Sequence, residues 1–213
     1  MWDGNHSISD ILRAGGFAMY PLAICSLLTW GVIFERLWRL RVVDRGLEVF
    51  QVEALRRLGA TDLGGLMALC RRQHDVPTAV LVETALTRLD AKDRRLKDSW
   101  REAVERERQK TNQALRGALW VLGTVATASP FIGLFGTVVG ILQSFGDIGR
   151  TGKGGFAVVA EGISQSLVAT ASGIIVAVVA AIAFNALQVR LSRLTLRVRH
   201  QSDELMELLG HGH

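Results

Sequence analysis

The sequence predicts an all-α membrane protein with three transmembrane helices, the second and third extended into a cytoplasmic helical bundle. Three observations predict it. The 213-residue chain is 49% hydrophobic yet 21% charged, with a mean hydropathy of +0.25, so its charge must be segregated. Ala14–Phe34, Gly117–Gly146 and Gly162–Val189 contain no Asp, Glu, Lys or Arg. Each run meets the ~20 residues a spanning helix needs. The basic residues then supply the topology. Of 25 Lys and Arg residues, 18 fall between Arg36 and Arg116, and Arg190, Arg193, Arg197 and Arg199 follow the third run. Only Arg13, Arg150 and Lys153 lie on the other side. The positive-inside rule places the N-terminus outside and the C-terminus in the cytoplasm.

Residues 1–13 read as an amphipathic lead-in on the outer surface. Ser7 or Ser9 serves as N-cap there, and Ile8, Ile11 and Leu12 form the apolar side. The first helix, 14–36, contains Pro21, which neighbouring helices can accommodate inside a membrane. It leaves through Glu35–Arg36, with Trp30 and Trp38 as interfacial anchors. The cytoplasmic segment, 37–116, holds short helices over Asp44–Leu58 and Asp62–Gln73, split by Gly59 and Gly64–Gly65. From Thr78 no Gly or Pro interrupts the chain until Gly117. That predicts one long helix running from the cytoplasm into the second span, 117–146. A connection over 147–161 faces outward. The third span, 162–189, continues through Leu191, Leu194, Val198 and Leu205 into a C-terminal cytoplasmic helix, 190–213.

The second span is unusual for a mere lipid anchor. It holds 30 residues, ~45 Å as a helix at 1.5 Å per residue, against ~30 Å of hydrocarbon. Gly133, Gly136 and Gly140 recur at spacings of three and four and so line one side, with Thr137 among them. Pro130 breaks the hydrogen-bond ladder near the start. Small residues at that spacing let helix backbones approach closely, and a hydroxyl offers polar contact in a dry medium. Ordinary helix packing explains the same pattern.

Other candidates fall away on context. H-E-x-x-H, C-x-x-C and G-x-S-x-G are absent from the sequence. Gly152–Ala157 matches G-x-G-x-x-A but follows no strand and reads as a turn. His211 and His213 read as tail residues, and no cofactor or metal is implied. Cys25 in the first span and Cys70 in the cytoplasmic segment form no disulfide framework. The net charge of +5 reads as topology plus attraction to membrane lipids, not as nucleic-acid binding. Polar residues inside the spans carry more, because burying them costs free energy without partners. Single Ser and Thr residues usually bond back to their own helix. The Gln165 amide cannot be satisfied that way, and Glu161 lies one turn earlier on the same face.

The residues that carry this pattern also resemble a known family. Tyr20-Pro21-Leu22 with Phe34-Glu35-Arg36-Leu37, the stretch Ala128–Ile141 and the stretch Val159–Ala171 are similar to the MotA/TolQ/ExbB proton-channel family, nearest its TolQ and ExbB branch. The resemblance covers nearly the whole chain. It implies a non-enzymatic subunit of the bacterial inner membrane, with residues 1–13 and 147–161 periplasmic. Such subunits form a homo-oligomeric ring, typically a pentamer, around a single-span partner of the ExbD, TolR or MotB kind. Ion passage, usually of protons, then drives mechanical work in the envelope: outer-membrane transport, envelope maintenance or gliding. By motif match, Thr137 and Thr170 fall at pore-facing threonines. One departure stands out, because Gln165 occupies a position that usually holds Glu, and an amide does not titrate. Three readings stay open: the partner's Asp is the sole carrier, Glu161 acts as an acid at the outer mouth, or another component of the ring or assembly conducts. The rival class is a non-conducting structural ring subunit that scaffolds a membrane complex.

Overall fold

The computed structural model describes residues 16–151 and 156–211, and the side chains of all of these except 151, 156–159, 161 and 211. The lead-in over 1–13, Gly152–Gly155 and His213 therefore lie outside the described residues. Those described form no strand. A 3-10 turn at Gly16–Ala18 precedes α1 (Met19–Gly59), α2 (Leu63–Arg72), α3 (Pro77–Leu89), α4 (Arg94–Asp98), α5 (Trp100–Arg116), α6 (Leu119–Thr151) and α7 (Phe156–His211). Three of these, α1, α6 and α7, are long and apolar enough to cross a membrane. The all-helical class with three spans therefore holds.

Two compact units emerge: Met1–Phe34 with Ala118–Ala186, and Glu35–Gly117 with Leu187–His213. In the first, most large apolar side chains point outward: Leu27, Phe34, Phe131, Leu142, Ile175 and Ile182 are all exposed. That is the inverse of a water-soluble core and suits lipid. Its interior includes a cluster of Ala18, Met19, Leu22 and Ala169, buried together with Ile132 packed against them.

The second unit has a water-soluble pattern. Leu40, Leu47, Phe50 and Ala54 of α1 are buried, as are Leu191, Leu194, Val198 and Leu205 of α7. Both sets repeat every three, four or seven residues, the spacing of one helix face. Helix α3 packs on α2 and α5, through Ala79, Val82, Ala85 and Leu86 of its buried side. A polar node crosses this unit. Thr78 Oγ1 donates to Gln201 Oε1 at 3.3 Å. The Gln201 amide nitrogen in turn donates to Gln51 Oε1 and, at the limit of reach, to the Leu47 carbonyl at 3.5 Å. Because Gln201 is 4% exposed, these bonds replace water that cannot reach it.

Five boundaries differ from the sequence expectation. The separate helix over Asp44–Leu58 is instead the continuation of α1, which runs unbroken from Met19. The long helix from Thr78 is broken twice, after Leu89 and at Ser99. Asp93 starts α4 by accepting the Arg95 N–H at 2.9 Å, an N-cap role for which Asp is well suited. It is also broken before the second span, because Gly117 ends α5 at φ +34, a conformation that L side chains avoid. Finally, α6 reaches Thr151 and α7 begins at Phe156, so helix occupies most of the connection expected over 147–161.

The break at Gly117 has a partner in the same unit. Arg36 is 4% exposed and its Nη1 donates to the Leu115 carbonyl at 3.2 Å. It satisfies one of the carbonyls that a helix end leaves open. Its Nε lies 2.9 Å from Glu35. A Cβ on Gly117 would fall onto the Arg36 guanidinium. Arg36, paired with Glu35, thus caps the C-terminal end of α5.

Candidate functional site

The candidate site is the contact between α6 and α7 within the first unit. Its closeness follows from glycine. A Cβ on Gly133 would lie 2.8 Å from the Ala169 carbonyl oxygen and 2.9 Å from the Thr170 Cα. From the other helix, a Cβ on Gly173 would lie 2.6 Å from the Ser129 carbonyl oxygen. Neither distance leaves room for a side chain. Gly136 faces the Ala18 and Ala169 methyl groups, at 2.6 and 2.9 Å from an added Cβ, and Gly140 faces Ser166 at 2.6 Å. One side of α6 is therefore in backbone-scale contact over two turns.

Pro130 lies inside α6, where its ring removes the hydrogen bond to the carbonyl four residues earlier. Beside it Ser129 is fully buried, and its hydroxyl has no hydrogen-bond partner among the described residues.

The hydroxyls divide by where they bond. Thr124, Thr127, Ser144 and Ser166 each donate to a carbonyl of their own helix, between 2.8 and 3.1 Å. Thr137 does so too, to Leu134 at 2.6 Å. Thr170 instead crosses the contact: its Oγ1 donates to the Gly133 carbonyl of α6 at 3.0 Å. In an α-helix that carbonyl also serves the N–H four residues on, at Thr137. The approach that Gly133 permits thus places the Thr170 hydroxyl on the same turn as Thr137. Within the single chain Thr137 is buried, Thr170 is half-buried and Gln165 is exposed. The Glu161 side chain lies outside the described residues.

Toward the C-terminal end of α6 the contact opens into a cleft of about 280 Å³. The 3-10 turn, α6 and α7 all contribute. Its polar lining comprises Gln143, Ser144 and Asp147 of α6 with Gln165 and Ser166 of α7. The volume is enough for several water molecules, at ~30 Å³ each in the liquid. Asp147 also forms an ion pair with Arg150. Sequence reasoning singled out Gln165 but missed Asp147 and Gln143. Asp147 is the first charged residue after the second apolar run, and that adjacency was the available signal. Only the pairing of α6 with α7 brings it to the cleft that Gln165 lines.

Three membrane-capable helices, two of them packed on glycine with a polar cleft at one end, define an integral membrane protein. The chain belongs to the MotA/TolQ/ExbB proton channel family, whose pattern it matches over residues 73–200. It is 30% identical to the Tol-Pal system protein TolQ of Pseudomonas aeruginosa, over 98% of this chain and 92% of that protein. It is 31% identical to the biopolymer transport protein ExbB of Pseudomonas putida, over 78% of this chain and 51% of that protein. With ExbB of Salmonella typhimurium the figures are 30%, 78% and 70%. The family is one of channels and transport proteins of the inner membrane, and the chain is an inner-membrane protein with three spans.

Proposed function

We propose that the chain is the proton-conducting subunit of an inner-membrane motor, coupling the proton motive force to mechanical work through a single-span partner of the ExbD or TolR kind. The observation that carries this reading is the Thr170–Gly133 bond. It is a polar contact across a glycine-packed pair of spans, in a chain whose relatives are TolQ and ExbB proteins. A ring of such subunits, typically five in the resembling family, sets the second and third spans around the partner's helix. Thr137 and Thr170 line the ion path, and Gly133, Gly136, Gly140 and Pro130 set helix spacing. Gln165 contributes a fixed amide. The partner's Asp is then the proton carrier, with Glu161 at the outer mouth. One charge crossing 100 mV supplies ~2.3 kcal/mol, an adequate scale for rearranging ring against partner.

Co-reconstitution with the partner in vesicles, with proton flux read by a pH dye, tests this. Flux that depends on the partner's Asp is expected. No flux from an intact complex with that Asp in place rejects the reading. It would favour a non-conducting ring that scaffolds a membrane complex, which Gln165 keeps in view.

A further inference from the structure

A second cleft, of about 240 Å³, lies wholly within the other unit, between α1 and α7. It is lined by Leu40 and Asp44 from α1, and by Arg190, Arg193, Leu194 and Arg197 from α7. Three guanidiniums thus face one carboxylate across apolar walls. The spacing 190, 193, 197 puts the arginines on one helix face.

They are not equivalent. Arg197 is held by Asp44 at 2.8 Å and Glu48 at 3.2 Å. Arg190, half-buried, and Arg193 have no hydrogen bond or ion pair among the described residues. A half-buried guanidinium beside two others leaves a net positive cleft that favours an anion over a cation. Its planar fork of donors matches phosphate.

Position says where that anion comes from. Arg190 directly follows the third apolar run, which ends at Val189. At 1.5 Å per residue, Arg190 to Arg193 lie ~2–6 Å along the helix from the end of that run. The headgroup layer on each side of a bilayer is ~5–8 Å thick. Leu40 lies ~9 Å along α1 from the end of the first apolar run, at the inner edge of that layer, and supplies an apolar wall. We infer that this cleft is a binding site for the phosphate of an anionic phospholipid headgroup, held by Arg190 and Arg193 and oriented by the Asp44-anchored Arg197. The inference is independent of ion conduction.

The test uses the full chain in detergent, offered mixed micelles of phosphatidylglycerol and phosphatidylcholine, with bound lipid counted by native mass spectrometry. Retained phosphatidylglycerol in excess of phosphatidylcholine is expected. Arg190→Gln and Arg193→Gln should each weaken its retention about ten-fold, a ratio equivalent to ~1.4 kcal/mol, the scale of one lost hydrogen bond to a charged group. Arg41→Gln, the same charge loss outside the cleft, should leave retention unchanged. Equal loss in Arg41→Gln, or none in the cleft variants, overturns the site. Displacement of the lipid by inorganic phosphate overturns its assignment to a lipid. Arg193 is exposed, so its variant decides the matter should Arg190→Gln fail to fold, and Arg190→Lys should retain the lipid.

Discussion

Gln165 stands where the resembling family usually places a carboxylate, and it lines a cleft that Asp147 also lines. If the partner's Asp is the only proton carrier, restoring a carboxylate with Gln165→Glu leaves flux at the wild-type level. Glu161→Gln and Asp147→Asn should do the same. A fall in flux from an intact complex in either would show that this chain supplies a carboxylate of its own. Thr170→Val keeps the side chain's shape but removes the donor to the Gly133 carbonyl. One cross-helix bond in a membrane is worth ~0.6 kcal/mol, at most ~2. The variant should therefore assemble normally, and proton flux should fall. Undiminished flux would leave Thr170 as packing alone. Outside the membrane, burial beside Glu83 pushes the Cys70 thiol up to about 12. The thiol is protonated in the folded chain at pH 8 and resists alkylation, whereas unfolding returns it to its ordinary range and reactivity. Mass spectrometry of iodoacetamide-treated chain, native and denatured, reads the difference. For stability the sign is adverse at high pH: the raised value favours the folded state below ~9, and that contribution is lost as pH climbs toward about 12.

Among the elements, the α6–α7 contact and the α5–α6 break depend on glycine for different reasons. At Gly136 the constraint is space, because an added Cβ meets the Ala18 and Ala169 methyl groups at 2.6 and 2.9 Å. Gly136→Leu should lower the thermal midpoint of the purified chain and disrupt its assembly on size exclusion. A stable, assembled variant would mean the helices can part at no cost. At Gly117 the constraint is φ as well as space. Gly117→Ala incurs ~1–3 kcal/mol for a positive-φ backbone that L residues rarely adopt, and it also displaces the Arg36 guanidinium from the end of α5. A lowered thermal midpoint is expected. Adding Arg36→Ala should not double the loss, because both changes remove the same cap. The helix breaks also mark how far sequence pattern reached. Apolar periodicity ran on through Leu89 and Leu96, so it predicted one helix. Asp93 capping the Arg95 N–H competes locally with that periodicity, and such capping outweighs it over only a few residues.

Over the whole molecule, each unit follows the solvent its sequence implies. The described residues of the first unit turn many large apolar groups outward and Gly133, Gly136, Gly140 and Gly173 inward. Glu35–Gly117 with Leu187–His213 buries Leu and Phe, and joins α1, α3 and α7 through a polar node at Gln201. Gln201→Leu strips Thr78 and Gln51 of buried partners at once. It should destabilise the chain by about 1–3 kcal/mol per group left unsatisfied, read as a lowered denaturation midpoint. Substituting the exposed neighbour Glu204 by Gln should have little effect.

The sequence by itself determined the all-helical class, the three spans and the family. Charge-free runs of membrane length and long motifs are properties of consecutive residues, and the bilayer imposes its constraint along the chain. Tertiary structure alone decided that Thr170 reaches the Gly133 carbonyl, that Asp147 joins Gln165 at one cleft, and that Arg190 and Arg193 share another with Asp44. Each of these joins residues far apart in sequence. Helical periodicity says which side of a helix a residue occupies, but only packing says which helix that side meets.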